Sequence, residues 1–75
     1  MRLIKVKPLV WYEVRKYHFE ADASQFRYRI SPHSGLWLST RESHAGLTQL
    51  GSAGLLFIAK QLCQDHWEKH VRGEG

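Results

Sequence analysis

Three observations predict an α+β domain in which a three- to four-stranded antiparallel sheet is followed by one C-terminal helix packed on one face. Residues 52–72 form the one stretch long and periodic enough for a full helix. The runs before it alternate apolar and polar residues with the two-residue period of strands and are broken by short polar turns. Strands come first and the helix last, so the sheet is the surface the helix has to cover. Seventy-five residues make a single small domain, 1–75, near the lower size at which one apolar core holds a chain folded.

Residues 1–8 read as an extended lead-in, with Leu3, Ile4 and Val6 set among Arg2, Lys5 and Lys7. Pro8 removes a backbone donor and marks an edge or boundary. Residues 9–14 are rich in β-branched and aromatic side chains and predict a strand. Arg15 and Lys16 fall at a bend, after which Tyr17, Phe19 and Ala21 alternate with His18 and Glu20. Residues 22–25 are a polar break of hairpin length. Next, Phe26, Tyr28 and Ile30 share one face of a strand while Arg27 and Arg29 share the other. Residues 31–35 predict a turn, and residues 36–40 return with Leu36 and Leu38 toward the core and Trp37 outward. The sheet is thus expected over 9–40 and a loop over 41–51.

Within the helix expected over 52–72, Leu55, Leu56, Ala59, Leu62, Cys63, His66 and His70 fall on one side at ~100° per residue. Lys60, Gln61, Gln64, Asp65, Glu68 and Lys69 fall mostly on the other. Ser52 is the expected cap, and Gly73 ends the helix in a left-handed conformation. The predicted core sets Phe26, Tyr28, Ile30, Leu36 and Leu38 against Leu55, Ala59 and Leu62.

The formal net charge is +4, but its distribution says more. Residues 1–41 carry eight of the eleven Lys and Arg against three acids, whereas residues 42–75 carry three against four. An acidic partner would therefore meet the N-terminal half. The lone cysteine, Cys63, leaves no intrachain disulfide and suits a reducing compartment. Residues 1–10 lack the continuous apolar block of a signal peptide, and no apolar run is long enough to span a bilayer. The expectation is a cytoplasmic protein with no membrane partner.

The early Trp11, the Tyr28-Arg29-Ile30 and Gly35-Leu36-Trp37-Leu38 segments, and AKQLCQDHWE over residues 59–68 together resemble a loose group of small phage and prophage proteins. The resemblance spans roughly residues 9–70. It implies a mobile-element accessory protein, a class that includes inhibitors of host defence such as anti-CRISPR proteins. Where that group tends to place acids at the helix start, this chain has Phe57 and Ile58. These lie off the core stripe, so either residues 41–51 fold back over them or they form an exposed apolar patch for a partner or a second copy.

Two constellations could carry chemistry. Cys63, His66 and His70 lie on one side of the helix at a spacing compatible with zinc, with His18, His33 or His44 as a possible fourth ligand, but the paired cysteines of a structural zinc site are missing. No metal or other cofactor is expected. Arg15, Lys16, Arg27, Arg29 and Trp37 form the second constellation, a basic and aromatic outer sheet face suited to a protein or ribonucleoprotein surface, or to nucleic acid directly. Three strands and a helix is also the element order of small integrase-type and plant transcription-factor DNA-binding domains, whose signature residues are lacking here. No phosphate-cradling loop, paired carboxylate motif or nucleophile elbow is present, and Gly51-Ser52-Ala53-Gly54 lacks the Lys-Ser/Thr that a phosphate loop needs. The expected function is non-enzymatic. The chain would bind and sterically block a host macromolecule, probing it with the basic face and with Phe57 and Ile58; the alternative is a small DNA- or RNA-binding module.

Overall fold

Five strands, each joined to the next by two residues, build one antiparallel meander: β1 (Tyr12–Arg15), β2 (His18–Ala23), β3 (Phe26–His33), β4 (Leu36–Ser43) and β5 (Gly46–Ala53). The helix α1 (Leu56–Arg72) follows directly and packs on one face. These elements come from a computed structural model that describes residues 6–73; the first five residues of the lead-in expected over 1–8 lie outside the described residues. Two-residue hairpin turns favour positive φ, which Tyr17, Ser24, Ser34 and Gly35 adopt.

The α+β class and the order of sheet then helix are as the sequence predicts, but the sheet is larger. Residues 41–51 are not a loop: they complete β4, turn at His44-Ala45 and form most of β5. Ser52 lies in β5, so the helix starts at Leu56, and Leu55 stands at its cap position with no side-chain hydrogen bond. Asp22 and Ala23 belong to β2, leaving Ser24-Gln25 as the turn, and the first strand starts at Tyr12 rather than residue 9. Gly73 does end the helix at φ 75°, its N–H reaching the His70 carbonyl at 3.1 Å. Lys69, His70 and Arg72 in the last turn complement the helix dipole.

Register decides which side chains meet the helix. Ala21 pairs with Tyr28, Ala23 with Phe26, and Ile30 with Ser39, so these six share the helix-facing side. Five of them are apolar and pack with Ala59 and Cys63 of the helix to form the buried core. The sixth, Ser39, is fully buried and donates a 2.9 Å hydrogen bond to the Ala59 carbonyl. Small residues at Ala21, Ser39, Ala59 and Cys63 let the helix sit close to the sheet.

Two expected face assignments are reversed. Trp37 pairs with Pro32 and Ala53 on the helix-facing side, edge-on to Phe19 at 6.0 Å and Tyr17 at 6.5 Å. Leu36 and Leu38 point outward, and Leu55, expected in the core, is 54% exposed. The physical reason is that a strand's side chains alternate strictly, so the register set by the Ser34-Gly35 turn fixes the whole face at once.

The helix lies over β4 and β5 more than over β3. On its β5 flank, Leu62 reaches Gly51. Its other flank faces β2 and an N-terminal arm, where the Lys60 ammonium sits 5.3 Å from the Phe19 ring centre. That arm, residues 6–11, is tied to the helix by the Leu9 N–H, which donates to Gln64 Oε1 at 2.8 Å. Among the described residues no helix is long and apolar enough to cross a membrane.

Candidate functional site

The outer sheet face carries Arg27 and Arg29 as predicted, but its strand neighbours supply three carboxylates for these two guanidiniums. Asp22 pairs across β2–β3 with Arg27, and its Oδ1 accepts from Arg27 Nε at 3.0 Å. Glu20 pairs with Arg29 in the same way and stands 3.4 Å from Arg29 Nε and 3.8 Å from Arg27 Nε. On the other side Glu42 lies 3.6 Å from Arg29. Tyr12 from β1 donates to Asp22 Oδ2 at 2.9 Å. The Arg27 guanidinium, then the Tyr12 hydroxyl, hold the Asp22 carboxyl below its usual range, and the same bond raises the Tyr12 phenol.

This ladder neutralises the face at short range. A hollow of about 450 Å³ opens on it, bordered by Val14, Leu38 and Leu47, with Arg29 and Glu20 already paired in its lining. Arg15 ends β1, and Lys16 lies in the β1–β2 turn with its ammonium 5.2 Å from the Tyr17 ring centre. Trp37, on the opposite side of the sheet, takes no part. Of the predicted basic and aromatic set, the two β3 arginines come together in the ladder, and Arg15 lines the same hollow as Arg29.

Under the C-terminal half of the helix the Cys and His residues are engaged with the sheet. The Tyr28 hydroxyl and His66 Nδ1 share a 2.8 Å hydrogen bond. Gln25 Nε2 donates to His70 Nε2 at 3.1 Å. The Phe26 ring packs edge-on against His66, Trp67 and His70, while the Arg41 guanidinium lies 5.0 Å from its centre and donates to Thr48 Oγ1 at 2.8 Å. Burial, with Arg41, His70 and Lys69 adding to it, lowers the His66 pKa. Burial likewise pushes the Cys63 thiol up to about 12 and raises the Tyr28 phenol. Among the described residues no group of three His, Cys, Asp or Glu side chains is placed to hold a metal ion.

Phe57 and Ile58 are exposed, at 70% and 41%, because residues 41–51 build the β4–β5 hairpin instead of folding over them. The two point to opposite flanks of the helix. Phe57 forms one lip of a groove of about 360 Å³ between the helix and the arm, whose apolar walls are Val6, Pro8, Leu9 and Trp11 and whose polar rim includes Gln64 and Glu68. Ile58 lies one turn before Leu62, on the flank toward β5.

The sequence reading missed the acids of the ladder and the arm side of the groove. The first had a signal, since a two-residue turn at Ser24-Gln25 sets Asp22 opposite Arg27 and Glu20 opposite Arg29. The second had none, because nothing local ties Leu9 to Gln64, 55 residues further along the chain. Comparison with protein-family models, curated proteins and solved structures gives no match to this chain.

Proposed function

We propose that this chain is a non-enzymatic binding protein that occupies and sterically blocks a surface of a host macromolecular complex, of the defence type that the resemblance to phage proteins implies. The observation that carries the proposal is Phe57, a large aromatic ring left 70% exposed beside an open apolar groove. Exposed aromatic rings bordering an apolar hollow with a polar rim are enriched among the anchors of protein–protein contacts. The partner's complementary feature is an apolar side chain or short apolar segment that enters between Phe57 and Trp11.

The paired state of Arg27 and Arg29 speaks against direct nucleic-acid binding by the sheet. A phosphate would have to displace carboxylates already within 3.0–3.8 Å. The non-enzymatic part is supported by the inventory: Cys63 is buried with a raised pKa, and His66 and His70 are engaged with Tyr28 and Gln25.

A photo-crosslinking amino acid placed at position 57, and separately at position 27, tests this in cells that hold the partner complex. Crosslinking from 57 to a discrete protein, lost when Trp11→Ser is added, is the expected result. Crosslinking from 27 to nucleic acid, together with anisotropy titrations in which Arg27→Ala and Arg29→Ala weaken DNA or RNA binding and flatten its salt dependence, would replace it with the nucleic-acid module.

A further inference from the structure

The sheet face turned away from the helix is concave. Val14 and Leu47 belong to the two edge strands, β1 and β5, yet both line the hollow of about 450 Å³. In a flat five-stranded sheet the edge strands lie about 19 Å apart, at about 4.8 Å per step, so the sheet curls around this space. Register shifts occur in both edge pairs, between Glu13 and Arg15 and between Ser39 and Thr40, and such irregularities are where strands bend.

One side of the hollow is cationic. Arg15 and His18 face each other across β1–β2, and both line it. Neither has a salt-bridge partner among the described residues, whereas Arg29 is held by Glu20 and Glu42. With Glu20 offsetting Arg29 inside the lining, the charge left over is that of Arg15. The remaining walls include Val14, Leu38 and Leu47, and Leu47 is 61% exposed.

We infer that this hollow binds a small organic monoanion, a carboxylate carried on an alkyl or aryl body. Its volume falls within the range of about 300–1,000 Å³ typical of small-molecule sites. The planar fork of the Arg15 guanidinium matches a carboxylate through two parallel hydrogen bonds, and the His18 ring offers a further N–H beside it. A single unopposed positive charge suits a monoanion, because a second negative charge would stand against Glu20. The apolar body of the ligand covers Val14, Leu38 and Leu47, removing exposed hydrocarbon from water.

The site is separate from the Phe57 groove, which lies between the helix and the arm, so either assignment can fail without the other. Octanoate is the probe, with octanol lacking the charge and acetate lacking the apolar body, each titrated into isotope-labelled protein and followed by NMR. Octanoate should bind with a Kd of about 1 mM or tighter, shifting the methyl signals of Val14, Leu38 and Leu47. Octanol and acetate should each bind at least about tenfold more weakly. Arg15→Gln should weaken octanoate binding by about five- to tenfold, and Arg15→Lys by less, because it keeps the charge and loses the fork. Arg15 is exposed, so unchanged core signals from Tyr28 and Ile30 in these variants show that the fold is kept. Phe57→Ser should leave octanoate binding as it is. Octanol binding as tightly as octanoate, an Arg15→Gln variant that binds like wild type, or shifts confined to the surroundings of Phe57 would overturn the proposal.

Discussion

Gly51 offers a sharp test of how the helix is seated. It lies in β5 beneath the helix with φ 144°, a backbone conformation that L side chains rarely adopt, and a Cβ there would stand 3.3 Å from Leu62 Cδ1. Gly51→Ala therefore carries two separable penalties. Holding a non-glycine residue in such a region costs about 1–3 kcal/mol. The contact is the smaller penalty, because a leucine methyl has only to give by a few tenths of an ångström. Reduced freedom of the unfolded chain returns about 0.4–1 kcal/mol, leaving a net loss of about 1–2 kcal/mol. For a domain whose total stability is about 0.05–0.15 kcal/mol per residue this is a large share, and it lowers Tm by about 4–8 °C per kcal/mol. Urea unfolding at fixed protein concentration, followed by the fluorescence of Trp11, Trp37 and Trp67, all packed against the core, measures it. Repeating the substitution in a Leu62→Ala background removes the contact and keeps the backbone term, so most of the loss should persist. A variant within ~0.5 kcal/mol of wild type, or a penalty that vanishes with Leu62, would refute the backbone argument.

Two further outcomes follow from the buried groups. An unfolded chain protonates His66 near its ordinary value of 6.5, whereas the native chain keeps it neutral to lower pH, so the unfolded state binds more protons and stability falls as pH drops through that window. Tm should decline from pH 7 to pH 5, and less steeply in His66→Gln; equal slopes would show that His66 is not the titrating group. Asp22, whose pKa lies below 3.8, affects stability only in more acidic solution and does not confuse the measurement. The Cys63 thiol, buried and pushed up to about 12, should resist iodoacetamide in the native protein at pH 8 and react once urea unfolds the chain. Alkylation of the native protein at the rate of a free thiol would place Cys63 in an open site.

The class and element order were legible because they rest on local periodicity. Phe26, Tyr28 and Ile30 do face the core, and the Ala59–Cys63 stripe does meet them. What failed was parity between neighbouring strands. Strand β4 offers leucines at 36 and 38 and Trp37 between them, and local hydrophobicity favours turning the leucines inward. The Ser34-Gly35 turn overrides this: closing it with two residues sets His33 opposite Leu36, so even positions of β3 meet odd positions of β4. Ser39, Trp37 and Arg41 are thereby carried to the helix side. β5 was missed for a different reason. Gly46, Gly51 and a run of small polar residues read as loop composition, yet glycine is what β5 needs where the helix presses close.

The helix placement also accounts for the groove. Because α1 rests over β4 and β5 more than over β3, Phe19 of β2 lies beside the helix flank, where Lys60 reaches over its ring and the arm bearing Leu9 and Trp11 packs against the core. Bound to Gln64 by one backbone hydrogen bond, the arm closes over the helix without filling the space beside Phe57, and a groove results. On the other flank the helix reaches the last strand, and no further element of the described chain follows to cover that edge. Substitutions that move the helix on the sheet, such as enlarging Ala59 or Ser39 at its closest approach, should therefore disturb the groove and lower stability together, whereas Phe57→Ser should weaken binding at the groove and leave Tm unchanged.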